Sequence, residues 1–147
     1  MVTGNESINV KKRNGRGTEK LDIDKIHSMV EYAVEDITGV SASQIEMNSG
    51  LQFYEGMTTD EIQQILIKSA ADLINLNTPN YTYVAARLLL FSLRKQIFHK
   101  LWDHPHFFDH VKKTVELGMY DEQILKNYER KDFDRMENWI NHERDYT

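Results

Sequence analysis

Cysteine is absent from the sequence. That one absence excludes disulfides, thiolate metal sites and thiol chemistry together. Long apolar runs are also missing, and none approaches the roughly 18 residues needed to span a bilayer. The opening "MVTGNESINV" has no basic region followed by an apolar one, so no secretory signal is visible. No repeat or low-complexity run occurs. An excess of positive charge is lacking too: the formal net charge of -5 argues against a general nucleic-acid binder. It does not exclude a small anionic ligand, because local charge matters more than the total. A soluble, cytoplasmic protein with neither nucleic acid nor membrane as partner is the expectation.

What is present is enough apolar material for a core, 40% of 147 residues, in one domain or a small domain with an appendage. Residues 1–7 are small and polar and are expected to be disordered. "INVKKR" and "TEKLDI" flank Asn14-Gly15-Arg16-Gly17, a hairpin turn signature. Asp24 is expected to cap a first helix, whose apolar residues Ile26, Met29, Val30, Ala33, Val34 and Ile37 keep steps of three and four. Gly39 is its natural stop. A short helix from about Ser43 and an extended piece over Gln52–Met57 follow. In "TTDEIQQILIKSAADLINL", Thr58 with Glu61 fits a capping box, with Thr59 the alternative cap. Thr78 as cap and Pro79 at the first helical position open a long helix. Being apolar almost all round from Val84 to Leu93, it is expected to be central and most buried.

After Trp102 the pattern changes. Residues 103–147 carry eleven acidic and seven basic side chains, a net of -4, in three shorter helical segments, the first ending at Gly118. The expected fold class is α+β: a small hairpin or three-stranded sheet, its third strand near Gln52–Met57, covering a bundle of about four helices, with further helices after it. A boundary near Lys100 separates residues 8–100 from residues 101–147.

Residues 10–25 hold six basic and three acidic side chains, a local +3 in a -5 protein. Glycine lets backbone N–H groups approach an anion, and Lys and Arg neutralise it. There is no G-x-x-x-x-G-K-[ST] signature. From spacing alone, a charged hairpin turn and a phosphate-holding loop both remain open.

The stretch "VKKRNG…EKLDIDKI" resembles the opening of an ATP-cone. "LQFYEGMTTDEI", "IKSAADLI" and "YTYVAARLLLFSLRK" resemble the cone of the large (α) subunit of class I ribonucleotide reductase. "FDHVKKTVELGMYDEQIL" and "WINHERDYT" resemble the helical segment leading into that enzyme's catalytic barrel. The resemblance runs from about residue 8 to the C-terminus. It implies a domain that binds ATP or dATP with magnesium and sets overall activity in deoxyribonucleotide synthesis. It also implies the remainder of the large subunit as partner, and the small radical-generating subunit beyond it. Carried over by position, Lys12 and Arg13 fall on the basic pair of the first strand. Glu19, Lys20, Leu21, Asp22, Ile23, Asp24 and Lys25 fall on the stretch that walls the nucleotide. Thr59 heads the second long helix, and Lys95 lies near the end of the central one. Gln63 and Ser92 stand where related enzymes can carry histidine, and Asn14 where the family usually has Asp. "GRGT" lengthens the hairpin turn.

The family's reduction chemistry uses a thiyl radical and a redox-active cysteine pair. This chain has no cysteine and is expected to be inactive alone, as a piece of a longer protein or of a split gene. The repressor that also carries an ATP-cone matches less well, because it places a cysteine zinc ribbon before the cone. The alternative reading is a degenerate helical interaction module that docks on a reductase without binding nucleotide.

No metal site and no catalytic residue is expected. His104-x-His106-x-x-x-His110 reads as solvated or capping histidines, since the third ligand falls in a loop beside Pro105. Asp121, Glu122 and the Asp132/Asp134/Glu137 group lack the EF-hand pattern and read as solvated helix faces. Tyr81, Tyr83, Phe91 and Phe98 read as core. Ser69 and Ser92 have no His–Asp neighbours that would make a hydrolytic triad.

Overall fold

The computed structural model describes residues 8–12, 17–99 and 104–145. The expected disorder of residues 1–7, Arg13 and the hairpin tip, and the boundary residue Lys100 all lie outside them. The chain divides into two compact units, Met1–Gln96 and Ile97–Thr147.

The first unit opens with β1 (Asn9–Lys11) and β2 (Thr18–Lys20), antiparallel, with Val10 opposite Glu19. Val10 alone of the six strand residues is buried, so the ribbon presents one apolar contact inward and charged side chains outward. No third strand forms among the described residues. Residues 52–57 turn instead, with Gly56 at φ +81, a conformation that a β-strand does not tolerate. The segment still docks on β1. Gly56 N donates to Asn9 O at 2.8 Å, Lys11 N donates to Met57 O at 2.8 Å, and Lys11 and Thr58 form a parallel bridge. The Glu55 carboxylate accepts from Asn9 N and Nδ2 at 2.8 and 2.9 Å, satisfying a backbone donor as a strand carbonyl would.

Helix α1 (Ile23–Val34) is capped by Asp22, not Asp24. Asp22 is still extended (φ -94°, ψ 97°) and accepts from Lys25 N, while Asp24 already lies in the first turn. There its charge meets the positive end of the helix. Ile26, Val30 and Ala33 form its buried stripe. The helix stops three residues short of Ile37. Asp36 takes φ 59°, and Arg87 donates to the Ala33 and Glu35 carbonyls that a longer helix would have consumed.

Helix α2 (Ala42–Gly50) buries Ala42, Ile45 and Ser49, and α3 (Thr59–Asp72) buries Ile62, Gln63, Leu66, Ser69 and Ala70. Thr58 is the α3 cap, with a complete capping box to Glu61. Helix α4 (Tyr81–Phe98) begins two residues after Pro79. Thr78 does not cap it: its hydroxyl donates back to Leu73 O at 2.8 Å. Tyr81 and Phe91 are core, as expected, but Tyr83 is exposed. The helix is not buried all round either. Tyr81, Val84, Leu88, Phe91, Ser92 and Arg94 face inward, while Leu89, Leu90 and Leu93 remain exposed. Its start is pinned to α2 by the Tyr81 hydroxyl, which accepts from Ser41 N and donates to Gln44 Oε1. Tyr32 and Phe91 stack obliquely at 5.7 Å.

The second unit holds α5 (Phe107–Glu116), α6 (Gln123–Asn127), α7 (Arg130–Glu137) and a 3-10 turn (His142–Asp145). Gly118 ends α5 at φ +71. Its N–H bonds Val115 O and that of Met119 bonds Thr114 O, the paired closure of a Schellman motif. Phe133 is the buried centre of this unit, met by Phe107, Phe108 and Tyr128 at 5.8, 5.4 and 6.4 Å. No helix among the described residues is long and apolar enough to cross a membrane.

Electrostatic tethers make this fold pH-sensitive on both sides. Amide donors hold Asp22, Glu55 and Glu61 below the ordinary carboxylate values of 3.8, 4.5 and 4.5. Their contribution is present above those values and is lost as pH falls through the lowered ones. His27 is raised above 6.5 by its 2.7 Å contact with Glu46, which ties α1 to α2. That contribution is full below 6.5 and lost as pH rises through the raised value. Thermal melts from pH 3 to 9 should fall at both ends; Glu61→Gln should soften the acid limb and His27→Gln the alkaline one.

Candidate functional site

The carried-over residues converge from three backbone starts. β1 delivers Lys12, the β2–α1 junction delivers residues 19–25, and the head of α3 delivers Thr59. The Lys11–Thr58 bridge places the first beside the third, and the β1–β2 pairing places the first beside the second. The amino-terminal ends of α1 and α3 therefore flank one hairpin. Each helix start presents backbone N–H groups and the positive end of a dipole.

Within this corner the charges are paired but wet. Lys12 Nζ lies 2.9 Å from Glu19 Oε2, and Lys25 Nζ lies 3.3 Å from Asp22 Oδ2. The Lys25 side chain is 77% exposed, and exposed pairs of this kind hold little energy. Both ammonium groups can exchange a carboxylate for a more highly charged anion. Asp22 is lowered chiefly by the Lys25 backbone N–H and next by the Lys25 side chain. Lys20 is exposed opposite Asn9. Leu21 is half-buried, and its N–H donates to Ile8 O at 2.7 Å. Ile23 is 71% exposed, an apolar side chain left open at the first turn of α1. Asp24 is exposed, and its carbonyl accepts from Ser28 Oγ. Thr59 is half-buried as the first residue of α3.

Gln63 and Ser92 are both buried. The Gln63 amide reaches across from α3 and donates to Leu88 O on α4 at 2.9 Å. Ser92 lies one turn beyond Leu88, and Lys95, half-buried, nearly one turn beyond Ser92. The Gln63–Leu88 bond marks the α3–α4 seam.

Two further basic groups near these positions were not singled out in the sequence. Lys11 lies close enough to Glu61 to help lower its carboxyl, after the larger effects of the Thr58 N–H, the Thr58 hydroxyl and the Tyr54 hydroxyl. Its place was set by the docking of residues 56–58 on β1, which has no signature in the sequence. Arg94 is buried on α4 beside Lys95. It follows directly on the apolar run that ends at Leu93, and a buried arginine at that place was the available signal.

The second unit's titratable groups are arranged differently. His106 caps α5, its Nδ1 accepting from Phe108 N, in line with the capping reading, and His110 is exposed on that helix. Glu137 does not lie on a solvated face: its carboxylate accepts from Phe107 N and is largely covered. Asp132 caps α7 with Glu129, and Glu122 pairs with Lys126.

Residues 8–96 match the model of the ATP cone domain. The chain is 46% identical over 143 residues to the ribonucleoside-diphosphate reductase 1 subunit alpha of Salmonella typhimurium, covering 97% of this chain and 18% of that protein. The corresponding Escherichia coli subunit is 43% identical over the same length and coverage. The ribonucleoside-diphosphate reductase subunit alpha of Enterobacteria phage T4 is 39% identical over 140 residues, covering 94% of this chain and 18% of that protein. The chain thus spans less than a fifth of the length of these curated relatives.

The Gln63–Leu88 bond should be a structural tie in its own right. Gln63→Ala should lower the stability of the first unit by about 1–3 kcal/mol, the cost of a buried hydrogen bond and its packing. Urea denaturation followed by circular dichroism measures it.

Proposed function

The chain belongs to the ATP cone domain family, and on that premise we propose that residues 8–100 bind ATP or dATP, with Mg2+ on the phosphates, as an allosteric switch. The switch sets the overall activity of a ribonucleoside-diphosphate reductase large subunit. Residues 101–147 form the helical segment leading toward the catalytic barrel. The partners are the remainder of that subunit and, through it, the small radical-generating subunit, in the cytoplasm. The exposed Leu89, Leu90 and Leu93 of α4 give the cone an apolar face for such a neighbour to cover.

One observation carries this reading: the α1 and α3 amino termini flank the same basic hairpin. Helix amino termini and nearby ammonium groups together favour a triphosphate. Lys12, Arg13 and Lys25 take the phosphates, and Lys95 approaches from α4. Thr59 supplies the head of α3. Glu19 and Asp22 accept from base or sugar, and exposed Ile23 gives the base an apolar contact beside Lys20, Leu21 and Asp24. Gln63 and Ser92 line the α3–α4 side. Magnesium is held mainly by phosphate oxygens and water, with at most one or two carboxylates, and Glu19 and Asp22 are the carboxylates at hand.

The rival reading, a degenerate module that docks without binding nucleotide, draws on the existing pairs of Lys12 with Glu19 and Lys25 with Asp22. Their exposure weighs against it, because such pairs open at little cost.

Calorimetric titration with ATP and dATP separates the two. Magnesium-dependent heat is expected from the parent chain. Charge-assisted contacts contribute roughly 1.5–3 kcal/mol each, so Lys25→Ala or Lys95→Ala should weaken binding by about tenfold or more. Arg130→Ala, in the second unit, should leave affinity unchanged. A silent parent, or variants that bind as well as the parent, would leave the hairpin as a turn only.

Attached to its barrel, the cone should let dATP but not ATP change the enzyme's subunit assembly. A ligand shifts such an equilibrium only by its differential affinity for the two states. Identical sedimentation of the complete enzyme with either nucleotide would count against that mechanism.

A further inference from the structure

We propose that His104, His142 and Glu137 of the second unit form a binding site for a divalent transition metal of the zinc type. One nitrogen from each histidine and one carboxylate oxygen of Glu137 all lie within 4.8 Å of one another. The residues come from three separate places: the loop before α5, the 3-10 turn, and the last residue of α7. Their meeting is a product of tertiary packing and not of a local sequence motif.

Three further observations bear on an ion at this place. First, His104 Nδ1 and His142 Nε2 are both buried without a hydrogen-bond partner. A buried imidazole nitrogen without a partner is costly unless something accepts its lone pair or proton, and His142 Nε2 has only the Glu137 carboxylate near it, beyond good hydrogen-bond geometry. Second, the two rings stack at 3.5 Å, 20° from parallel. A metal takes each imidazole in its neutral form and in its ring plane, so the two rings turn out of this stack when the ion binds. Third, the Glu137 carboxylate is already oriented. Its Oε2 accepts from Phe107 N, while Oε1 lies 3.5 Å from His142 Nε2 and remains for coordination. Metal-ligating carboxylates are held by such outer hydrogen bonds.

The donor set selects the ion. Two imidazoles and one carboxylate suit zinc and its neighbours, and hard magnesium or calcium prefers all-oxygen ligands. With bonds of about 2.0–2.1 Å, a tetrahedral site has edges of about 3.3–3.4 Å. Side-chain rotation therefore has at most about 1.4 Å to close at the widest edge, besides turning the two ring planes toward the ion. His106 is not a ligand, because its Nδ1 is committed to the Phe108 amide. The fourth position is left to water, and His104 also lines a cavity of about 700 Å³ with Pro105, His110 and Tyr120. The bound ion would fasten the 3-10 turn to the loop before α5.

The test uses the untagged full chain without nucleotide. Co2+ should give the visible absorption of a four- or five-coordinate site, Zn2+ should displace it, and Zn2+ should raise the melting temperature while Mg2+ does not. His104→Ala and His142→Ala should each weaken Co2+ binding by more than the roughly tenfold that loss of an outer partner costs. His110→Ala should bind as the parent does. Circular dichroism checks that each variant is folded; should His142→Ala unfold, His104→Ala and Glu137→Gln carry the comparison. Absence of a Co2+ band in the parent, or unchanged affinity in the folded ligand variants, overturns the site.

Discussion

Thr58 carries a constraint on which the geometry of the first unit depends. It must end a turn, pair with Lys11 of β1 and cap α3 at once. The Glu61 carboxylate makes this possible by accepting from both the N–H and the hydroxyl of Thr58 and from the Tyr54 hydroxyl. The turn, the strand edge and the helix start are thereby fixed to one another. A two-stranded ribbon is at best marginally stable alone. Here it is held by Val10 packing inward and by the Asn9, Lys11, Glu55 and Met57 bonds along its edge.

That junction explains why the basic residues stand where they do. Lys12 directly follows the strand that pairs with Thr58, the cap of α3, and Lys25 lies on the helix that follows the partner strand. The pairing of each with an acidic neighbour keeps the corner from being strongly charged by itself, and the exposure of those pairs keeps the ammonium groups available. A local excess of positive charge in an acidic chain is thus compatible with a stable fold. Deeper in, Gln63 ties α3 to α4 by a buried bond, one turn before the buried Ser92.

The second unit is stabilised by other means. Phe133 gathers three aromatic rings, Arg130 lies over Phe108 at 5.2 Å, and Gly118 closes α5. Glu137 works inside this cluster through the Phe107 amide, which makes it a fixed carboxylate beside two stacked histidines.

Much of this was legible in the residues themselves. The steps of three and four marked the buried stripe of α1, Thr58-x-x-Glu61 marked a cap, and Gly118 marked a helix end, because those signals act over a single turn of chain. The order of blocks marked the family, and the basic cluster around the hairpin marked the candidate site. The choice of Asp22 over Asp24 as cap was not legible, since both fit the spacing and only the end of β2 decides. The early stop of α1 depended on Arg87, more than fifty residues away. Residues 52–57 read as extended but turn at Gly56, because Glu55 satisfies the strand edge in another way. The exposed face of α4 was hidden by its uniform apolarity, which says that a helix wants cover but not which side receives it. The histidine cluster was hidden for the opposite reason: the motif drew attention to His106 and His110, while the partners of His104 lie more than thirty residues along the chain. Sequence alone determined whatever depends on near neighbours: helix stripes, caps, the local charge and the family. Tertiary structure decided which distant side chains meet, because burial and hydrogen-bond satisfaction are settled only when the elements pack.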